Sequence, residues 1–148
     1  MIIWLTGQPG SGKTTICKKI LIRNASFFHI DGDDLREIFD NKDYSEQGRR
    51  KNIELAQHIA QFLHNKGEDV IVSLVSPYKD QRDKLKEKMG DKLIEVYVHT
   101  SEQRGREGFF VKEYEQPTED FLDLDTTKES VEESANKVMD YAKVPRRG

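Results

Sequence analysis

The chain has 148 residues, 35% of them apolar and 34% charged, which suits one domain (residues 1–148) built around one core. Its 24 basic and 27 acidic side chains leave a net charge of −3, and its compact basic clusters are as small as Arg49-Arg50-Lys51 and Arg146-Arg147, so no nucleic-acid partner is expected. No apolar run approaches the ~18 residues of a membrane span, no signal peptide is read after Met1, and the lone Cys17 forms neither an internal disulfide nor a cysteine zinc site, so a cytoplasmic setting without a membrane partner is expected.

Ile2 to Thr6 reads as a short buried strand and Gly7 to Gly12 as a glycine-rich turn. Lys13 to about Arg23 follows as a helix, with Ile16, Ile20 and Leu21 on one side. Phe27 to Ile30 is a second strand, then come the acidic Asp31-Gly32-Asp33-Asp34 and a short helix near Leu35 to Phe39. A long helix is expected from about Glu46 to Asn65, because Ile53, Ala56, Ala60 and Leu63 recur at helical spacing. Val70 to Val75 is the most apolar strand, the pattern of one covered on both faces, and Ser76-Pro77 ends it.

A charged helix is expected from about Asp80 to Met89 with a solvated face, then a strand from Leu93 to Val98. A weak strand near Phe121 to Leu124 leads to a helix carrying Val131, Ala135, Val138 and Tyr141. Thr126-Thr127-Lys128-Glu129 fits a capping box at its start. The irregular stretch from about 100 to 119 has the length of a functional loop, and residues 143–148 read as a frayed tail. Strands alternating with helices predict an α/β fold, a mainly parallel sheet of about five strands with helices on both faces.

Gly7-Gln8-Pro9-Gly10-Ser11-Gly12-Lys13-Thr14 matches GxxxxGK[ST] between a buried strand and a helix. That is the P-loop NTPase arrangement, and it predicts binding of a nucleoside triphosphate, with ATP and Mg²⁺ expected. Gly7, Gly10, Ser11 and Gly12 let backbone N–H groups turn onto phosphate oxygens at a helix N-terminus. Lys13 would bridge the β- and γ-phosphates, the Thr14 hydroxyl would ligate Mg²⁺, and Thr15 would help hold the α-phosphate. The pattern does not say what receives the phosphate.

The acceptor should lie at the carboxyl ends of the same strands. Asp31 and Asp33 follow the second strand there, with Arg36 one helical turn on. Arg49 and Asn52 extend the inward stripe of the long helix as polar residues at its open end. Ser76-Pro77-Tyr78 caps the apolar strand and could lie against a flat ligand. Solvated turns and helix ends are the alternative reading of each group.

Four motifs occur in order: Trp4-Leu5-Thr6-Gly7 with its phosphate loop, Asp31-Gly32-Asp33-Asp34-Leu35-Arg36, Tyr44-Ser45-Glu46 leading to Arg49 and Asn52-Ile53, and Ser76-Pro77-Tyr78 with Arg82-Asp83. Together they resemble the adenylylsulfate kinase family, which phosphorylates adenosine 5′-phosphosulfate (APS) on its 3′-hydroxyl using MgATP. Val96 to Thr100 continues the likeness, and Gly108-Phe109 resembles the family's substrate clamp.

The resemblance implies Asp33 facing the 3′-hydroxyl, and Arg36 and Arg49 holding the phosphosulfate. It further implies Asn52 hydrogen-bonding the nucleotide, Tyr44 and Phe109 sandwiching the adenine, and Ser76 lining the site. Thr14 and Asp31 are the candidate Mg²⁺ ligands. Relatives suggest a homodimer, a state that cannot be read from this sequence.

The chain departs from the family after Thr100, where relatives carry a longer lid with an Asp-Pro-Lys-Gly-Leu-Tyr-like stretch. Only Ser101 to Glu107 remains here, and Arg104 and Arg106 are the candidate lid cations, against two arginines on a solvated loop. The competing readings are a kinase of another hydroxyl, on a small metabolite, a sugar or a polynucleotide end, and a nucleotide-binding protein with little turnover.

Overall fold

The computed structural model describes residues 1–144, so Arg146-Arg147 and most of the expected tail lie outside the described residues. Five strands, β1 (Ile2–Thr6), β2 (Phe27–Asp31), β3 (Asp69–Ser73), β4 (Leu93–His99) and β5 (Phe121–Asp125), form one sheet in the order β2-β3-β1-β4-β5. Every pairing is parallel. Five α-helices alternate with them: α1 (Lys13–Arg23), α2 (Gly32–Ile38), α3 (Glu46–Asn65), α4 (Lys79–Met89) and α5 (Val131–Tyr141).

The helices cover both faces because the side chains of β1 alternate between them. Ile3 and Leu5 pack with Ile16, Cys17 and Ile20 of α1 and Ala135, Val138 and Met139 of α5. Ile2 and Trp4 point the other way, onto Leu35 of α2, Ile53, Ala56 and Ala60 of α3 and Leu85 of α4. With both faces buried, β1 reads as a continuous apolar run, and all five of its residues are buried. No described helix is long and apolar enough to cross a membrane.

Three boundaries differ from the sequence expectation. Helix α2 begins at Gly32, directly off the strand, because Asp31 in extended conformation serves as its N-cap. Strand β3 stops at Ser73, before the apolar run ends. Beyond it, the Thr6 hydroxyl and the Gly7 N–H both donate to the Val75 carbonyl, and Ser76 turns the chain with φ +46°. The capping box of α5 is Ser130 with Glu133, not Thr126 with Glu129. Thr126 is buried, and its hydroxyl donates to the Ser11 carbonyl (2.8 Å), so it fastens the end of β5 to the phosphate loop.

Helix α4 is not simply a solvated face. Arg82 is 2% exposed and pairs with the equally buried Glu95 of β4 (3.2 Å), whose other oxygen accepts from Lys86 (2.8 Å). The Arg82 guanidinium also donates to the Ser76 carbonyl (2.6 Å) and to the Glu115 carbonyl. A buried charge costs several kcal/mol unless paired and hydrogen-bonded, and this one spends its donors on the turn after β3 and on the chain leading to β5.

The stretch 100–119 is not one loop. A 3₁₀ turn at Glu107–Phe109 divides it. The part beyond is stitched down: the Tyr114 hydroxyl meets the Thr6 hydroxyl (2.7 Å), the Glu115 N–H donates to the Pro77 carbonyl (2.9 Å), and the Glu115 carboxylate accepts from the Lys79 N–H (3.1 Å). Beyond Val111 the stretch is therefore tied to β1 and to the turn after β3.

Candidate active site

The carboxyl ends of β1, β2 and β3 open into one crevice of about 1010 Å³. One end is the phosphate loop, from which Gly10, Gly12, Lys13, Thr14 and Thr15 line the wall. Gly7 and Ser11 lie behind that wall. A Cβ on Gly7 would stand 2.1 Å from the Val98 carbonyl oxygen. Gly10 and Gly12 hold φ of +82° and +109°, a left-handed region that favours glycine, and Gly12 caps α1.

Lys13 curls over this loop, donating to the Gly7 (2.8 Å) and Gln8 (2.9 Å) carbonyls. Burial lowers its pKa to about 8, partly opposed by nearby Asp31 and Asp33. Asp31, at the end of β2, accepts from Thr14 Oγ1 (2.9 Å) and Ser73 Oγ (2.7 Å) through the same Oδ1. Ser73 gives its proton to Asp31, so His29 Nε2, 2.7 Å from Ser73 Oγ, is the donor in that contact. Burial lowers the His29 pKa, consistent with a neutral ring. Sequence reasoning missed Ser73 and His29, and the only trace of Ser73 was a hydroxyl in the most apolar strand.

The other expected residues line the same crevice: Asp33, Arg36, Tyr44, Arg49, Asn52, Ser76 and Phe109, with Arg104 and Arg106 at the rim. Asp33 sits on the first turn of α2, exposed, with no side-chain partner among the described residues. Arg49 opens α3's buried stripe and its guanidinium is likewise unpaired among them. Asn52 is 3% exposed; its Nδ2 donates to the Gly32 carbonyl (3.3 Å), and its Oδ1 accepts nothing among the described residues. The Ser76 hydroxyl is also buried without a partner among them.

Arg36 is engaged differently from the expectation. It donates to the Asn41 (3.1 Å) and Asp43 (3.1 Å) carbonyls and lies 4.0 Å over the Tyr44 ring, so it props that aromatic at the crevice mouth. Tyr44 and Phe109 are 61% and 67% exposed, and large aromatics left this open at a crevice suit a stacked ligand.

The two arginines of the loop before Val111 also differ from each other. Arg104 is spent on backbone, donating to the Gly10 (3.3 Å), Ser11 (3.1 Å) and Thr126 (3.0 Å) carbonyls. The Arg106 guanidinium makes no hydrogen bond among the described residues and lies 5.3 Å from the Phe109 ring centre. On the far side of the phosphate loop, Arg104, Gly12, Thr15, Thr126 and Val131 line a second, smaller cleft of about 180 Å³ that the sequence did not suggest.

The profile of the adenylylsulphate kinase family matches residues 1–137. Adenylyl-sulfate kinase of Staphylococcus haemolyticus is 30% identical, over 97% of this chain and 84% of its own length. That alignment runs over 167 positions, more than the 148 residues here, so the relative carries extra residues within it. Adenylyl-sulfate kinase of Saccharomyces cerevisiae is 33% identical over 94% of this chain and 82% of its own. Among solved structures, Mycobacterium tuberculosis APS kinase CysC in complex with AMPPNP and APS superposes with a TM-score of 0.80 at 25% identity, covering 96% of each chain. The matches run through the phosphate loop and the acceptor-side motifs alike, and this chain belongs to the adenylylsulphate kinase family.

Proposed function

We propose that this chain transfers the γ-phosphoryl group of ATP to the 3′-hydroxyl of adenosine 5′-phosphosulfate, giving 3′-phosphoadenosine 5′-phosphosulfate and ADP. The observation that carries the reading is a single crevice with a phosphate loop at one end and, at the other, an unpaired carboxylate, an unpaired guanidinium and two open aromatics. The M. tuberculosis relative solved with AMPPNP and APS supports the choice of nucleotides.

Asp33 accepts the hydrogen bond of the 3′-hydroxyl and orients it in line with the γ-phosphorus. The new bond joins that oxygen to phosphorus, the bond to the β–γ bridging oxygen breaks, and the hydroxyl proton leaves through Asp33. Phosphoryl transfer asks mainly for positioning and charge stabilisation, so one carboxylate and a few cations suffice. Lys13 supplies charge from within the phosphate loop. Arg49, unpaired among the described residues, takes the phosphosulfate. The unpaired Oδ1 of Asn52 suits an adenine amino group, since leaving a buried acceptor empty costs about 1–3 kcal/mol. Tyr44 and Phe109 hold the two faces of that base. The donor base fits the smaller cleft beside Arg104, whose guanidinium offers a stacking plane.

Thr14 and Asp31 present a hydroxyl and a carboxylate oxygen 2.9 Å apart, a hard-oxygen pair that fits Mg²⁺. When bound there the ion neutralises charge on the triphosphate. Ser73 and His29 keep Asp31 turned toward Thr14.

The test is a coupled assay of ADP release from ATP, run with APS, with gluconate or another sugar acid, with a polynucleotide 5′-hydroxyl, and with no acceptor. Release that needs APS is the expected result. Release dependent on another hydroxyl, or none above the blank, overturns the reading.

A further inference from the structure

Gln8 occupies a variable position of the phosphate-loop pattern, where backbone alone makes the phosphate contacts. Its side chain nevertheless forms a two-way amide clamp on the backbone of a residue 103 positions away. Nε2 donates to the Val111 carbonyl at 2.8 Å, and Oε1 accepts from the Val111 N–H at 2.9 Å. The same residue's own carbonyl accepts from Lys13 Nζ at 2.9 Å. Gln8 therefore touches the lysine of the donor site with its main chain and the lid with its side chain.

Val111 is one foot of an arch. Its side chain is 5% exposed, whereas Phe109 and Phe110 just before it are 67% and 42% exposed. The other foot is Arg104, bonded to the Gly10 and Ser11 carbonyls. Residues 105–110 span the gap, carrying Arg106 and Phe109 over the crevice. The arch also rests on the loop midway, since a Cβ on Gly10 would lie 3.0 Å from the Arg106 Cβ. Both feet and the middle of the arch thus stand on residues 8–11 of the phosphate loop.

We infer that Gln8 is a positioning residue for the acceptor nucleotide: by pinning Val111 to the phosphate loop it fixes Phe109, and through it the acceptor base, at a set distance from the donor phosphates. The inference rests on the function proposed above. The physical case is that a short lid has few contacts of its own to define its place. A side-chain amide paired on both its polar edges fixes direction as well as distance, and pre-ordering the clamp spares the ligand the entropy of doing so. The partly buried Tyr114–Thr6 contact and the Glu115 contacts secure the chain beyond Val111, so Gln8 governs only the arch.

The experiment compares the parent, Gln8→Leu, Phe109→Ala and the double variant. Leucine keeps bulk at position 8 and removes both hydrogen bonds. Gln8→Leu is expected to raise KM for APS at least fivefold, with Kd for ATP within twofold of the parent. In the Phe109→Ala background the same change is expected to add less than twofold, because the residue acts through Phe109. Amide deuterium exchange gives a readout independent of turnover: the peptide holding residues 107–112 should exchange at least tenfold faster in Gln8→Leu, while one from β1 stays unchanged. Equal weakening of ATP and APS, an effect that multiplies undiminished in the double variant, or unchanged exchange at 107–112 each overturns the inference. A parent that fails to turn over APS instead overturns the function reading, and the exchange arm still decides whether Gln8 pins the arch. If Gln8→Leu does not fold, Gln8→Met replaces it: the unbranched side chain keeps the reach of glutamine and loses both hydrogen bonds to Val111, and the same three measurements apply.

Discussion

Lys13 offers a prediction with a sign and a size. The residue is 7% exposed, and burial lowers its pKa from 10.5 to about 8. A drop of that size corresponds to about 3 kcal/mol of penalty on the charged form. Its contribution to pH-dependent stability follows from proton counting. Between pH 8 and 10.5 the folded chain holds fewer protons at this site than the unfolded chain, so stability rises with pH across that window. Relative to Lys13→Met, which keeps the stem and removes the titration, the parent should gain up to about 3 kcal/mol in denaturant unfolding from pH 8 to pH 10.5.

A bound triphosphate reverses the preference, because its negative charge favours the ammonium. ATP binding should therefore take up about half a proton at pH 8 and about a tenth at pH 7. Calorimetry in two buffers of different ionisation enthalpy reads this directly. In kinetics, kcat/KM for ATP should fall along a single-proton limb near pH 8, while kcat stays level to higher pH, since the first reports the free enzyme and the second the complex. ATP binding at pH 8 without proton uptake, together with parallel stability curves for parent and Lys13→Met, would refute the reasoning.

Asp33→Asn should lower kcat by about 10²-fold or more with both nucleotides still bound and the thermal midpoint unchanged, because Asp33 is exposed and unpaired; an unmoved kcat would shift the orienting role to Asp31. Phe109→Ala should weaken APS by about 1–3 kcal/mol in equilibrium binding and leave ATP unaffected, whereas equal loss of both would make Phe109 a packing residue. The lid arginines should separate. Arg106→Ala should lower kcat and kcat/KM together by about 10-fold or more with stability unchanged, as for a charge acting on the transition state. Arg104→Ala should instead weaken ATP and lower the thermal midpoint, since it removes contacts to three carbonyls, and identical kinetic profiles for the two would contradict this division.

Much of the molecule was written in local pattern. The strand–turn–helix around Gly7 to Thr14, the apolar periodicity of α3 and the alternation of strands with helices each depend on residues near one another in sequence, and periodicity reports such contacts faithfully. Apart from Gly7 and Ser11, which lie behind its wall, the residues singled out as donor and acceptor groups line one crevice for the same reason, since parallel strands end on one edge and the loops after them meet there.

What the tertiary structure alone decided concerns partners far apart in the chain. Nothing near Arg82 announces that it is buried against Glu95, and a helix so rich in charge reads as solvated until β4 is set beside it. The capping box is Ser130 with Glu133 because α5 starts only at Val131, whereas Thr126, equally suitable by local pattern, follows directly on β5 and gives its hydroxyl proton to the Ser11 carbonyl. Arg104 and Arg106 are two residues apart on one loop, yet one donates to three carbonyls and the other's guanidinium makes no hydrogen bond among the described residues. The Gln8 clamp on Val111 joins residues 103 positions apart through a side-chain amide, a pairing with no period and no composition signal. Local spacing encodes which backbone forms; which polar group finds which partner depends on how the sheet edge brings distant loops together, and that is fixed only when the chain has folded.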